Sequence, residues 1–344
     1  MAKDTHAAGD RTADDVGPEL FARIKTARQE ILHELRKIVV GQEEPVGQLL
    51  TAMLAGGHCL IQGPLATGKT ILVDAVAKVM NLSFKRIQFT PDLMPSDISG
   101  TEILEEDQSG RRVARFVRGP VFCNILMADE INRTPPKTQA ALLEVMQEKQ
   151  VTLGGQTHPL PSPYYVLATQ VSMEQEGTYP LPEAQQDRFM LSILMEYLPE
   201  KDESAIVRES TGPTRPAVNK IIAGGDLLAF QRAIRTVQLP PIIGKYIVEL
   251  VDSSRPTVKG APDFIKEYVI WGAGLRASQN IALGAKSMAA QDGRASVTIG
   301  DVRKVLMPVL RHRIGLSFRA EVDRVSVEDL VRRLVEAVPA PQAA

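Results

Sequence analysis

Cysteine is scarce: the 344 residues contain two, Cys59 and Cys123, each inside an apolar stretch and far from the other. That number and spacing exclude a disulfide framework and a cysteine-based zinc module. Both read as reduced core residues of a cytoplasmic protein. His33, His58, His158 and His312 are dispersed and share no ligand spacing, so no histidine metal centre is expected. Aromatic residues make up 5% and the formal net charge is −1, so no overall field draws the chain to nucleic acid or to an anionic membrane. No run of about 18 apolar residues occurs, which excludes a membrane-spanning helix. The opening segment, MAKDTHAAGDRTADDVGPEL, is polar and of mixed charge and has no apolar stretch to serve as a signal. Residues 1–18 read as a disordered tail.

What is present is a soluble-protein composition, 44% apolar and 24% charged, over a length that suits one large domain or two ordinary ones. From about residue 19 to 55 the pattern is helical with a break at VVGQEEP. Five short apolar runs follow: HCLIQ (58–62), SFKRIQF (83–89), NILMAD (124–129), YYVLAT (164–169) and MLSILME (190–196). Nearly continuous apolar runs of this length suit strands buried on both faces of a parallel sheet. They predict an α/β domain of three layers over 19–199. Near 150–160, KQVTLGGQTHPL holds two short arms around Gly154-Gly155 and predicts a hairpin inserted before the fourth core strand. TEILEEDQSGRRVARFVRGP reads as a second polar excursion ahead of the third. From 200 to 344 the pattern turns all-helical, with helices near 201–210, 226–237, 240–252, 276–291, 299–314 and 326–337. Thr298 and Asp301 form a capping pair for the fifth of these, and Pro308 implies a kink or break in it.

GPLATGKT, residues 63–70, fits GxxxxGK[ST] in full and lies between a predicted strand and a predicted helix. Such a loop turns its N–H groups and a helix N-terminus toward phosphates. Gly63, Pro64, Leu65, Ala66, Thr67, Gly68, Lys69, Thr70 and Ile71 are therefore the candidate ATP-binding residues. Lys69 would reach the β- and γ-phosphates, and the Thr70 hydroxyl would bind Mg²⁺. In NILMADE an apolar strand ends in two adjacent carboxylates. Beside the loop, Asp129 can hold Mg²⁺ directly or through water while Glu130 polarises the attacking water. ATP hydrolysis thus leads over nucleotide storage.

ADEINRTPPKTQAALLEVMQEKQVTLGGQTHPLPSPYYVLATQ and EQEGTYPLPEAQQDRFML closely resemble the MoxR family of AAA+ ATPases, as do VVGQEEP, AGGH, FTPDLMPSDISGTEIL and the tail near VLRHRI. The resemblance covers roughly residues 20–340. It implies a five-stranded AAA+ core, a helical lid, an inserted hairpin and a homo-hexameric ring with nucleotides between subunits. It implies that Arg188 is the arginine finger acting on a neighbour's γ-phosphate and that Arg276 is the sensor-2 arginine. Arg133 is a weaker candidate for a second interface arginine. The family's chaperone-like members remodel or mature other proteins, assemble complexes or insert metal cofactors, often with a von Willebrand factor A domain partner. No residue here names a client.

This chain departs from the family after the fourth core strand. Members read ATQNP there, with an asparagine that places the attacking water; this chain reads ATQVS, with Val171 in its place. Valine cannot orient water. Either Gln170 or Thr169 substitutes, or turnover is slow and the protein is a nucleotide-gated switch. Before Arg276 the chain reads AGLR where members carry serine and proline. A nucleic-acid-acting motor is disfavoured: the hairpin VTLGGQTHPL has no lysine or arginine, and the single basic cluster, GRRVARFVRG (110–119), suits an interface or a pore.

Overall fold

The computed structural model describes residues 17–64, 66–106, 112–171, 177–212 and 217–341. Most of the expected N-terminal tail, residues 1–16, lies outside the described residues. Helix α1 (Pro18–Leu35) begins with a proline in its first turn, where the missing N–H costs nothing, and α2 is Glu43–Ala55. Gly56 closes α2 in the left-handed conformation at φ 80°. The chain then runs through β1 (Cys59–Gln62), α3 (Lys69–Val79), β2 (Phe84–Gln88), α4 (Pro95–Ser99), β3 (Gly100–Glu106) and β4 (Arg112–Arg118). It continues with β5 (Ile125–Asp129), a 3₁₀ turn (Ile131–Arg133), α5 (Pro136–Glu148), β6 (Gln150–Leu153), β7 (Gln156–Pro159), β8 (Tyr165–Thr169), α6 (Glu183–Gln186) and β9 (Leu191–Leu194).

The five runs form one parallel sheet in the order β2-β5-β8-β1-β9; β2, at an edge, is mostly exposed rather than buried on both faces. Alternate residues serve two cores, as the two-residue period of a strand requires. Cys59, Ile61, Ile125, Met127, Tyr165, Leu167, Leu191 and Ile193 face α1, α2 and α3, whereas Leu60, Leu126, Ala128, Val166 and Ala168 face α5. The Gly154-Gly155 turn joins β6 and β7 in an antiparallel hairpin, both glycines at positive φ. The excursion at 100–118 is a second hairpin, with β3 and β4 paired from Gly100↔Arg118 to Glu106↔Arg112. Beyond Gly100, β3 is exposed, so the one-sided alternation that marks a half-buried strand is absent from its sequence. Phe116 of β4 stacks on His158 of β7 at 4.2 Å, which ties the two hairpins together.

After β9 come α7 (Glu200–Ser210), α8 (Gly224–Thr236), α9 (Pro241–Ser253), α10 (Asp263–Tyr268), β10 (Val269–Trp271), α11 (Leu275–Gln291), α12 (Ile299–Leu310), β11 (Gly315–Leu316), α13 (Phe318–Val322) and α14 (Val327–Ala337). This helical region includes one short ladder, β10 with β11, that strands of three and two residues are too brief to announce. At Gly315 an added Cβ would lie 2.1 Å from the Trp271 ring, so the ladder demands glycine there. Thr298 and Asp301 make the capping box expected of them: the Asp301 carboxylate accepts the Thr298 N–H at 2.8 Å. Pro308 lies in the last turn of α12, which ends two residues later at Leu310 rather than running on to 314. The helical region shares its core with one face of the sheet. Ser287 Oγ of α11 donates to the Thr51 carbonyl of α2 at 2.9 Å, and Gln231 of α8 donates to Tyr165 Oη of β8 at 2.5 Å. Among the described residues no helix is long and apolar enough to cross a membrane.

Two histidines are part of this packing in neutral form. His58 Nδ1 accepts the Val166 N–H at 2.9 Å, and burial, helped by Lys149, pushes its pKa down to about 4. His312 Nε2 donates to the Phe189 carbonyl at 3.0 Å, and burial, with Arg313 beside it, also holds its pKa well down. A histidine with a depressed folded-state pKa lends stability above its unfolded value of 6.5 and loses it as pH falls toward the folded one. At pH 5, His58 should therefore cost about 2 kcal/mol relative to pH 7. Urea midpoints at the two pH values, for wild type and His58→Gln, test this: the variant should lose less on acidification, and equal losses would exonerate His58.

Candidate active site

The loop between β1 and α3 leaves the sheet at its C-terminal edge. Gly63 adopts φ 138° with its α-carbon so close to β9's end that a Cβ would lie 1.9 Å from the Met195 carbonyl oxygen. Ala66 and Gly68 are left-handed, at φ 63° and 86°, the geometry that turns successive N–H groups into one concavity. Lys69 opens α3 and folds over the loop, donating to the carbonyls of Gly63 (2.9 Å) and Pro64 (2.6 Å). Thr67 Oγ1 donates to the Pro64 carbonyl at 3.1 Å. Burial lowers the pKa of Lys69, and Asp129 and Glu130 oppose that shift. Leu65 lies outside the described residues.

A cavity of about 810 Å³ opens above this loop. Its walls include Gly63, Pro64, Ala66, Thr67, Gly68, Lys69, Thr70 and Ile71 from the loop and α3, and Asp129, Glu130, Thr169, Gln170 and Val171 from the ends of β5 and β8. The parallel register of β5 with β8 puts the acid pair beside Thr169. Thr169 Oγ1 donates to Asp129 Oδ1 at 2.5 Å and accepts the Glu130 N–H at 2.8 Å. One hydroxyl thus fixes both carboxylate residues. Glu130 is held in the left-handed region at φ 57°, a strained conformation for a residue with a side chain, and pairs with Arg133 at 3.1 Å.

The cavity also takes in Arg86 of β2, which sequence reading passed over. Arg86 binds Asp129 Oδ2 through Nε at 3.0 Å and through Nη2. The adjacent charges Lys85 and Arg86 in the otherwise strand-like SFKRIQF were the available signal. For a magnesium ion, the Thr70 hydroxyl and the Asp129 carboxylate face one cavity and are hard oxygen donors. Among the described residues no cluster of three or more histidine, cysteine or acidic side chains is placed to hold a metal. A site of one carboxylate and one hydroxyl fits Mg²⁺, which keeps several waters and shares its shell with substrate phosphates.

Arg188 and Arg276 lie outside the walls of this cavity. Arg188, just past α6, donates from Nη1 to the Leu143 carbonyl of α5 at 2.8 Å. Arg276, in the first turn of α11, pairs with Asp187 at 3.2 Å. Asp187 is in turn bound by Arg313, a residue that sequence reading did not single out. Of the basic cluster at 110–119, Arg115 pairs with Glu105 across the β3–β4 hairpin and Arg118 lies over the Phe122 ring. Residues 110 and 111 lie outside the described residues. Cys59 and Cys123 are free thiols in the core, and burial pushes the Cys123 thiol up to about 12.

A P-loop, an acid pair at a neighbouring strand end and a helical C-terminal region on a five-stranded parallel sheet define the AAA class of ATPases. The model of the ATPase family associated with various cellular activities matches residues 58–191, and the AAA lid domain model matches 265–334. Chaperone MoxR1 of Mycobacterium tuberculosis is 42% identical over 324 residues, spanning 94% of this chain and 84% of that one. Protein MoxR of Methylorubrum extorquens is 31% identical over 346 residues, spanning 94% and 98%. A crystal structure from Cytophaga hutchinsonii superimposes with a TM-score of 0.86 at 41% identity, over 94% of this chain and 98% of that one. The chain belongs to the MoxR family of AAA+ ATPases.

Proposed function

We propose that this chain is a chaperone-like ATPase of the cytoplasm that assembles into a homo-hexameric ring and hydrolyses MgATP to remodel, mature or assemble a partner protein. In this reading residues 63–71 cradle the triphosphate. Thr70 and Asp129 hold Mg²⁺, whose charge offsets that of the phosphates, and Glu130 polarises the attacking water. The observation that carries the reading is the composition of the cavity. Loop, lysine and both carboxylates meet there, while the two arginines that the resemblance assigns to the γ-phosphate do not. Arg86, the arginine that does reach it, is committed to Asp129. In this reading a further arginine comes from a neighbouring copy, and assembly is a condition of turnover. The name of the mycobacterial relative, a chaperone, supports a protein client. Insertion of a metal cofactor into that client, and a partner with a von Willebrand factor A domain, are the roles that the resemblance adds.

Phosphate release per subunit, measured across protein concentration alongside sedimentation, tests this reading. Specific activity is expected to rise as rings form. Measurable activity that is indifferent to concentration, in a protein that sediments as a monomer, would refute the assembled site.

Val171 supports a second reading, a nucleotide-gated switch with slow turnover. Its side chain is 7% exposed at the cavity wall and offers neither donor nor acceptor. Val171→Asn should raise kcat by up to about 10²-fold, the lower end of what one preorganised polar group contributes, with little change in nucleotide affinity. Steady-state phosphate release beside equilibrium nucleotide binding checks this, and an unchanged kcat would make position 171 silent.

A further inference from the structure

The polar group that residue 171 lacks is not supplied by its backbone. The Val171 N–H donates to Asn132 Oδ1 at 3.0 Å, and its carbonyl accepts from Asn132 Nδ2 at 3.0 Å. Asn132 is 1% exposed, so both main-chain groups of Val171 are sealed into the protein. Thr169 is equally committed. Its single O–H goes to Asp129 Oδ1, and its oxygen receives the Glu130 N–H. A hydroxyl has one proton to give, and that proton is used.

Gln170 remains, on the wall of the cavity that holds Lys69, Thr70 and Asp129. Its side chain ends a directed relay that runs from β9 through the end of β1 to the residue after β8. Ser192 Oγ of β9 donates to Gln62 Oε1 of β1 at 3.1 Å, and Gln62 Nε2 donates to Gln170 Oε1 at 3.0 Å. Ser192 is anchored in turn, because its carbonyl accepts from Arg311 Nη1 at 2.8 Å. A carboxamide presents oxygen on one side and NH₂ on the other. With its oxygen engaged by Gln62, Gln170 has its NH₂ for the cavity.

We propose that the Gln170 side-chain amide is the hydrogen-bond donor to the terminal phosphate of a bound nucleoside triphosphate, a polar contact that Val171 cannot make. Gln62 and Ser192 are the positioning residues that set its orientation. The inference rests on the ATPase reading but is testable without turnover.

The experiment compares equilibrium binding of ADP and ATPγS, each with Mg²⁺, to the full chain carrying Glu130→Gln. Gln170→Ala should cut the preference for ATPγS over ADP by about tenfold, the usual worth of a hydrogen bond to a charged group. Gln170→Glu should cut it further, because a carboxylate repels the phosphate. Gln62→Leu, which frees the Gln170 amide to turn, should cost about threefold. Adding Val171→Asn to Gln170→Ala should restore much of the preference. Affinity for ADP should hold throughout, which a loss of cavity structure would not allow. A preference retained within about twofold in Gln170→Ala, or weakening of both nucleotides together, would overturn the proposal. A wild-type chain that shows the ATPγS preference yet never releases phosphate would sink the ATPase reading and leave the ratio to decide on Gln170. Failure to bind either nucleotide would overturn both.

Discussion

Arg188→Ala is expected to lower turnover by about 10³–10⁵-fold, the range for arginine fingers in phosphoryl transfer, while affinity for MgATP stays within about threefold. The expected split between rate and affinity follows from where Arg188 lies. It contributes nothing to the wall of its own chain's cavity and spends one donor on the Leu143 carbonyl of α5. Removing it leaves the loop at 63–71, Lys69 and the acid pair untouched. In the ring reading, the charge that develops on the transferring phosphoryl group would lose the cation that a neighbouring subunit supplies. Mixing distinguishes this from a damaged fold. A Lys69→Ala chain keeps its arginine but has a crippled cradle; an Arg188→Ala chain has the converse. Neither should turn over alone. In an equimolar mixture roughly a quarter of ring interfaces would pair an intact cradle with an intact arginine, and activity should reappear. If Arg188→Ala alone retains wild-type turnover, Arg188 is no finger. If the mixture stays dead, the site is not shared between copies.

Much of the fold was legible because it is written in local patterns. Four of the five core strands are short, largely apolar runs, whereas β2 is a mostly exposed edge strand with Lys85 and Arg86 in it; Gly154-Gly155 announces its turn by composition alone. The 63–70 loop is legible for a stronger reason. Gly63 has a carbonyl oxygen where a Cβ would go, so the spacing of residue types records a geometric demand. What was not legible is pairing across the sheet. Nothing around Arg86 says that it reaches Asp129, which lies 43 residues further on. Thr169 reads as the end of an apolar strand, yet it fixes both carboxylates. Val171 reads as a missing side chain, whereas the structure adds that its backbone is locked by Asn132. The β3–β4 hairpin was hidden because its strands are largely solvated on both faces and therefore carry no alternation.

Arg313→Met should cost about 2–4 kcal/mol of stability, because buried carbonyl acceptors lose their donor at about 1–3 kcal/mol each, whereas Asp187 keeps Arg276. The Arg313 side chain is 2% exposed and all five of its N–H groups are used. Nε donates to Asp187 Oδ1 at 2.7 Å. Nη2 donates to the carbonyls of Asp187 (2.9 Å) and Phe189 (2.6 Å), and Nη1 to those of Met190 (3.2 Å) and Val309 (2.6 Å). Burial pulls the guanidinium pKa down and Asp187 opposes it. Methionine fills much of the same volume but supplies none of those donors, so the carbonyls of Asp187, Met190 and Val309 lose theirs, while that of Phe189 keeps only His312 Nε2. Asp187→Asn should cost less, about 1–2 kcal/mol, because an amide oxygen can still accept from Nε and Asp187 is itself partly solvated. Urea unfolding of the three proteins reads these differences directly, and a loss below about 1 kcal/mol in Arg313→Met would show that the carbonyls find other partners. The position of the pair extends its consequence to catalysis. Arg313 clamps residues 187, 189 and 190, and residue 188 between them is the arginine assigned to the neighbour's phosphate. Asp187→Asn should therefore lower kcat while leaving MgATP affinity unchanged, since it loosens the segment that aims Arg188 without touching the cradle. An unaltered kcat in Asp187→Asn, with stability reduced as expected, would mean that the clamp holds the lid to the sheet and does nothing to aim Arg188.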